Sequence, residues 1–293
     1  MSSKKLICIC GPTASGKTSV GIELAKHFNT EIISADSRQV YKELTIGTAV
    51  PTTDELTSVR HHFIHSHSIY EGLTAGEYAK QAHLLLIELF KTHDIIILVG
   101  GSGLFVKALT EGFDRPKAYD QQLRENLSSL LENEGIEGIR KRYLKLDPNN
   151  SALIDMSNPQ RLIRAIELHV SDQKGLDDFE KAEFETIGFV LNWNRSELYR
   201  RIEMRVDQMI NDGLVAEADR LFQYKDLNAL QTVGYSELFK TFNGELGKEK
   251  AIELIKRNTR RYAKRQMTWF RNQSDFTWVE QPFTENIIKF INT

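Results

Sequence analysis

Cysteine is nearly missing from this chain: there are two, Cys8 and Cys10, in 293 residues. They stand two apart on an apolar stretch, share one face of an extended strand and cannot easily bridge each other, which excludes a disulfide framework. No third ligand lies near them, so strand packing is a better account than a metal or redox pair. No apolar run reaches the length of a membrane-spanning helix, and the charged opening from Met1 to Lys5 does not read as a signal peptide. The expected location is the cytoplasm. Nor does one charge dominate: 38 basic residues meet 40 acidic ones, for a formal net charge of −2. Taken alone, that average speaks against a nucleic-acid partner. Internal repeats and low-complexity tracts are also absent. With 41 % apolar and 27 % charged residues, neither disorder nor a collagen-like fibre applies.

What is present starts with Gly11-Pro12-Thr13-Ala14-Ser15-Gly16-Lys17-Thr18, a match to the phosphate-cradling pattern G-x-x-x-x-G-K-[ST]. Glycines let the backbone curl so that several N–H groups converge on an anion. The helix that follows adds its positive end. Lys17 supplies a mobile cation, and the Thr18 hydroxyl can hold a Mg²⁺ ion that bridges phosphate oxygens. The context is right: Leu6 to Cys10 reads as a buried strand, and Val20, Leu24 and Phe28 recur at helical spacing.

A second strand, Glu31 to Ala35, ends at Asp36-Ser37-Arg38-Gln39-Val40-Tyr41. Ligands of open α/β sheets sit beyond the carboxyl ends of strands, which places Asp36 beside the phosphate loop. An Asp-Ser pair there can equally cap a following helix. Ile46 to Pro51 reads as a loop. His61, His62, His65 and His67 cluster, but without cysteines or acids in a ligand pattern they suggest strand or loop rather than a metal site. Glu77 to Lys91 reads as a helix, and Asp94 to Val99 as a buried parallel strand. That strand runs into Gly100-Gly101-Ser102-Gly103, where a nucleotide-hydrolysing protein usually places a Mg²⁺-linked Asp. The glycines weaken an ATPase or GTPase reading, although the loop could admit ATP weakly.

From about Arg115 the alternation of strand and helix stops. Leu123, Leu127, Leu130 and Leu131 mark a helix ended by Gly135, and Ile139, Tyr143 and Leu146 mark a second. A third has Asn158 as N-cap and Pro159 at its first position. Its apolar face is expected at Leu162, Ile166, His169 and Val170, with Gln160, Arg161 and Arg164 on the other. The block ends near the polar run 171–178. Ile187 to Trp193 returns to a strand, and Asn194 with Glu197 suggests a capping box. The expected fold is therefore α/β: a P-loop NTPase/kinase-like parallel sheet over residues 1–114 and 186–293, with an all-helical insertion over 115–185.

The final long helix has an uneven charge. Lys256, Arg257, Arg260, Arg261, Lys264, Arg265 and Arg271 fall in one segment that holds no acid. Arg257, Arg261, Lys264 and Arg265 share a stripe, and like charges at this spacing repel. A polyanion partner would relieve the repulsion. One anion site suits a small diphosphate and the other a nucleic-acid backbone. Transfer of a group from a diphosphate to a nucleic acid follows as the expectation, in preference to a kinase or a non-catalytic RNA-binding module.

With these residues in place, the chain resembles the tRNA dimethylallyltransferases (tRNA isopentenyltransferases) nearly end to end. The resemblance rests on residues 11–18, Asp36 to Tyr41, Ile46 to Ala49, Gly100 to Leu104, Pro159-Gln160-Arg161, Thr232 to Tyr235, and Tyr262-Ala263-Lys264-Arg265-Gln266-Met267-Thr268-Trp269-Phe270-Arg271. It implies transfer of a dimethylallyl group from dimethylallyl diphosphate to N6 of adenosine 37, beside the anticodon of tRNAs that read codons starting with U. It further implies Asp36 as the base and Thr13 as a donor to the oxygen that bridges allyl and diphosphate. Lys17, Mg²⁺ and Arg124 would supply positive charge. Contact with tRNA would come from Asp36, Ser37, Arg38, Gln39, Ser102, Arg124, Gln160, Arg161, Leu162, Ile163 and Arg164, and the stripe adds Arg261, Lys264 and Arg265. A monomer acting off the membrane is expected. Arg60 and His65 depart from the family pattern, which often has Pro and an acid there, and Ser102 replaces a frequent Thr.

Overall fold

The structure, a computed structural model, describes residues 4–112, 120–148, 154–170 and 180–292. The chain forms two compact units, Met1–Gly112 with Glu180–Thr293, and Phe113–Phe179. The sequence pattern puts the corresponding divisions at 114/115 and 185/186. Arg115 and the polar run 171–178 lie outside the described residues.

The first unit is built on six parallel strands: β1 (Lys5–Cys10), β2 (Ile32–Ser34), β3 (His61–His62), β4 (Ile95–Gly100), β5 (Glu185–Leu191) and β6 (Thr277–Val279), in spatial order β3-β2-β4-β1-β5-β6. The alternation of the central strand sorts its side chains to two faces. Leu6, Cys8 and Cys10 join one core with Ile96, Leu98 and Val190. Ile7 and Ile9 join the other with Ile97, Val99, Phe189 and Leu191. Each such fully buried aliphatic side chain contributes about 1.5–3 kcal/mol. Both cysteines are free and buried, and burial pushes the Cys10 thiol up to about 12, so neither acts as a thiolate.

Helices α1 (Lys17–His27), α2 (Thr53–Ser58), α3 (Ala75–Leu89) and α4 (Gly103–Thr110) connect the first strands. α3 begins two residues before its sequence expectation because Thr74 and Glu77 form a capping box. Downstream come α7 (Arg195–Asn211), α8 (Leu214–Leu221), α9 (Tyr235–Phe242), α10 (Lys248–Gln273) and α11 (Phe283–Ile291). The sequence pattern pairs Asn194 with Glu197. Instead Asn194 Oδ1 accepts from Ser196 N at 3.0 Å, and Glu197 pairs with Arg200 at 2.6 Å. Strand β6 and helix α11 carry too short a signal to be read from the sequence.

The second unit holds α5 (Gln121–Leu146) and α6 (Pro159–Val170). Gly135 breaks α5 with φ 65°, ψ −165°, so it acts as the two helices expected on either side of that glycine. Asn158 Oδ1 caps α6 through Gln160 N and Arg161 N at 3.1 and 3.2 Å. The core of this unit comprises Leu127, Ile139, Tyr143, Leu162, Ile163 and Ile166. His169 and Val170, expected on the buried face of α6, are exposed at its last turn; Ile163 takes the inward position.

Candidate active site

The phosphate loop sits at the carboxyl end of β1. Gly16 caps α1 at φ 86°, a conformation that glycine adopts without strain, and Ala14 is left-handed at φ 62°. Protein donors occupy the loop's carbonyl oxygens. Lys17 Nζ donates to Pro12 O at 2.7 Å, Arg201 Nε to Ala14 O at 2.9 Å, and Trp193 Nε1 to Ser15 O at 2.8 Å. The Arg201 guanidinium lies 4.4 Å over the Trp193 ring. With these oxygens engaged, the loop repels an incoming anion less. Ser15 Oγ is buried without a hydrogen-bond partner among the described residues.

One side chain of α10 joins two strand ends. Gln266 Oε1 accepts from Thr13 N and Gln266 Nε2 donates to Gly101 O, both at 2.9 Å. Beside it, a Cβ at Gly100 would stand 2.3 Å from Ala35 O, so the end of β4 has no room for any side chain. The acid that a nucleotide-hydrolysing protein would carry there is sterically barred.

A cavity of about 510 Å³ opens from the loop. Thr13, Lys17, Thr18, Asp36 and Arg205 line its polar end; Val206 and Met209 of α7, Leu214 of α8 and Ile255 of α10 also line it. Asp36 Oδ1 accepts from Arg38 N at 2.9 Å and Gln39 N at 3.2 Å, so it does cap, but a turn rather than the helix expected. Its Oδ2 makes no hydrogen bond among the described residues, and one carboxylate thus caps a turn with one oxygen and offers the other to the cavity. Ser102 Oγ accepts from Ser37 N at 2.9 Å and donates to Ser37 Oγ at 3.1 Å. Arg38 Nη1 donates to Asn228 O at 2.7 Å, and Gln39 Nε2 to Ala49 O at 2.9 Å, which ties the expected contact residues into neighbouring loops.

The electrostatics are polarised. Burial and then the charge of Arg205 lower Lys17 to about 8, with Asp36 partly offsetting them. Burial also lowers Arg205 from its usual value, and Asp36 opposes this. Arg205 Nη1 reaches Thr13 Oγ1 at 3.4 Å. Tyr262 rises to about 12, by burial and then by the charge of Asp36.

The sequence assigns no site role to three participants. Arg205 is one cation among several on α7, Gln266 sits within a basic run, and Glu217 lies far from the loop it organises. Glu217 is 2 % exposed and accepts from Thr45 N, Ile46 N and Gly47 N at 2.9–3.1 Å, and from Tyr235 O–H at 2.6 Å. It fixes the 45–47 loop against the cavity wall.

On α10 the expected lack of compensating acids holds only within the segment 256–271 itself. Asp207 and Glu203 of α7 pair with Lys256 and Arg260. Arg257, Arg261 and Lys264 make no ion pair among the described residues, and the Arg265 guanidinium lies 5.7 Å from the Tyr262 ring centre. In the second unit Arg124 grips Glu167 through two bonds at 2.6 and 3.0 Å, Arg164 reaches the same carboxylate at 3.2 Å, and Arg161 lies 3.8 Å from Asp155. Arg124 is therefore already paired rather than a bare cation. Gln160 is exposed, whereas Leu162 and Ile163 are 0 % and 2 % exposed and hold the core of that unit instead of a surface. The four clustered histidines bond to separate partners: His61 to Val59 O, His62 to Glu31, His65 to Leu44 O and His67 to Ser66.

A family model described as IPP transferase matches residues 39–273. The chain belongs to the IPP transferase family. A curated relative named tRNA dimethylallyltransferase, from Christiangramia forsetii, is 49 % identical over 97 % of this chain and 95 % of its own length. The solved tRNA isopentenylpyrophosphate transferase of Bacillus halodurans superposes with a TM-score of 0.72 at 35 % identity, covering 99 % of this chain and 96 % of that one. A eukaryotic dimethylallyltransferase solved acting on tRNA matches at a TM-score of 0.74 and 25 % identity, over 95 % of this chain and 74 % of that one. The phosphate loop and Asp36 precede the stretch that the family model matches, so their place in an IPP transferase site rests here on the cavity that contains them.

Proposed function

We propose that this chain is a tRNA dimethylallyltransferase. It transfers the dimethylallyl group of dimethylallyl diphosphate to N6 of adenosine 37 in tRNAs that read codons starting with U, giving N6-isopentenyladenosine. The observation that carries the reading is the single cavity in which an anion-binding loop, two cations, a half-engaged carboxylate and an apolar arm all meet. A hydrolase or kinase needs the first two features but not the apolar arm.

The diphosphate lies along the loop amides with Lys17 and Arg205. Breaking the allylic C–O bond sends its electron pair to the diphosphate oxygen, and those fixed cations stabilise the charge where it develops. Thr13 Oγ1 stands beside Arg205 and donates to the same bridging oxygen. N6 of adenine is a weak nucleophile because its lone pair is delocalised into the ring. As the N6–C bond forms, the free Oδ2 of Asp36 accepts the N6 proton. The base must leave its stack to reach the cavity, which is cheapest in a single-stranded loop. The Thr18 hydroxyl has no hydrogen bond among the described residues, and one hydroxyl plus phosphate oxygens and water suits Mg²⁺, which keeps much of its hydration. When bound, the ion adds Lewis-acid charge to the leaving diphosphate.

Exposed cations of α10 (Arg261 and Lys264, with Arg265) and Gln160, Arg161 and Arg164 of the helical unit hold the tRNA backbone; that unit grips the anticodon stem-loop. Monomeric, cytoplasmic action belongs to the same reading, and no helix among the described residues is long and apolar enough to cross a membrane.

The test uses purified protein, Mg²⁺, dimethylallyl diphosphate and unmodified tRNA, with mass spectrometry of the digested nucleosides. N6-isopentenyladenosine is the expected product. ATP consumption without it would replace this reading by a kinase.

A further inference from the structure

We infer that Met209 sets the length of the hydrocarbon that the site accepts. The inference rests on the dimethylallyl reading and concerns the end of the cavity that the chemistry leaves unused. Helices α7 and α10 both line the cavity, and both change character along their length. On α7, Arg205 reaches the phosphate loop, Val206 follows it, and Met209 lies one turn further along. On α10, Gln266 touches the loop, Tyr262 and Thr259 follow turn by turn, and Ile255 comes last. Leu214 and Val233 also line the cavity and pack in the same apolar cluster as Met209 and Ile255.

Two polar side chains at this end are already engaged. Thr259 Oγ1 donates to Ile255 O at 2.8 Å, and Glu237 accepts from Gly234 N at 2.8 Å and from Asn258 Nδ2 at 2.7 Å. A hydrocarbon that enters from the loop meets the methyl and thioether groups of Val206, Met209, Leu214 and Ile255 beside them.

The spacing selects the length. One helical turn rises about 5.4 Å, close to the span of a dimethylallyl group from its bridging oxygen to its terminal methyls. A five-carbon chain whose diphosphate is held at Lys17 and Arg205 ends at Met209. A ten-carbon geranyl chain must pass it. Met209 is half-buried and unbranched, packs against the cluster and lines the cavity, so its truncation lengthens the arm.

The experiment gives wild type, Met209→Ala and Val233→Ala an equal mixture of dimethylallyl and geranyl diphosphates, with Mg²⁺ and unmodified tRNA. It reads the ratio of the two N6-alkylated adenosines by mass spectrometry. Wild type gives almost only the five-carbon product. Met209→Ala raises the geranyl share by about tenfold or more, and Val233→Ala raises it less. Inhibition by inorganic diphosphate stays the same, since the loop end is untouched. An unchanged ratio in both variants, or loss of both products in both, would overturn the inference. Failure of wild type to form the five-carbon product would overturn the function itself, and the wild-type control tells the two apart.

Discussion

The two cationic regions of the first unit are built in opposite ways. At the phosphate loop, Lys17 and Arg205 are anchored: one bonds a backbone oxygen, the other reaches the Thr13 hydroxyl, and burial lowers both from their ordinary values. On α10, Arg257, Arg261 and Lys264 have no ion-pair partner among the described residues and extend on long, mobile stems. Fixed, desolvated charge can stabilise a leaving group without reorganising, but it binds only what fits. Mobile, hydrated charge recognises a polyanion of any local shape and is strongly screened by salt. The chain keeps the two roles on separate elements, with Gln266 as the point where α10 enters the fixed site.

The sharpest way to break this division is at Asp36, which belongs to the fixed site but is also expected to touch tRNA. Asp36→Asn keeps an oxygen for Arg38 N and Gln39 N while removing the proton acceptor. Single-turnover transfer should slow by about a hundredfold or more, with tRNA affinity by filter binding unchanged. Equal loss in both measurements would show that the turn, not the base, is what matters.

A smaller effect is expected from pH. Lys17 falls from 10.5 to about 8, so between those values the folded protein holds fewer protons than the unfolded chain. The ligand-free fold therefore gains stability from this group as pH rises through that window, having carried the penalty in full below it. Diphosphate binding responds with the opposite sign, because it needs the charged lysine. Its affinity should weaken by about tenfold per pH unit above 8 in calorimetry, and a Lys17→Arg variant should lose most of that dependence. A profile shared by both proteins would remove Lys17 as its source.

The smallest effect lies on the mobile stripe. Arg261→Ala and Lys264→Ala should each lower the salt dependence of tRNA binding by about one phosphate contact and leave inorganic diphosphate binding alone. A change in diphosphate affinity would mean that the two regions are not separate.

These contrasts also explain what the sequence discloses. The phosphate loop, the Asn158–Pro159 helix start and the break at Gly135 are local, since each is dictated by the conformation of a few adjacent residues. The basic stripe is local too, yet its neutralisation is not: Glu203 and Asp207 come from another helix. Arg205 resembles its neighbours Arg200 and Arg201 until α7 packs beside the loop. Glu217 reads as an ordinary helical acid, and only the fold brings three backbone amides of residues 45–47 to it. Long-range partners of this kind have no periodicity to betray them.

The bond from Thr13 N to Gln266 spans 253 positions. A nascent chain leaving the ribosome exposes its phosphate loop well before α10, and the loop is not tied to the neighbouring strand end until that helix has been made. Contacts of such separation form late. An anion trapped early would meet an open turn, without the wall that α7 and α10 supply. The order of synthesis thus delays competence until α10 is available, and a chain cut short before residue 266 keeps the motif but not the catalyst.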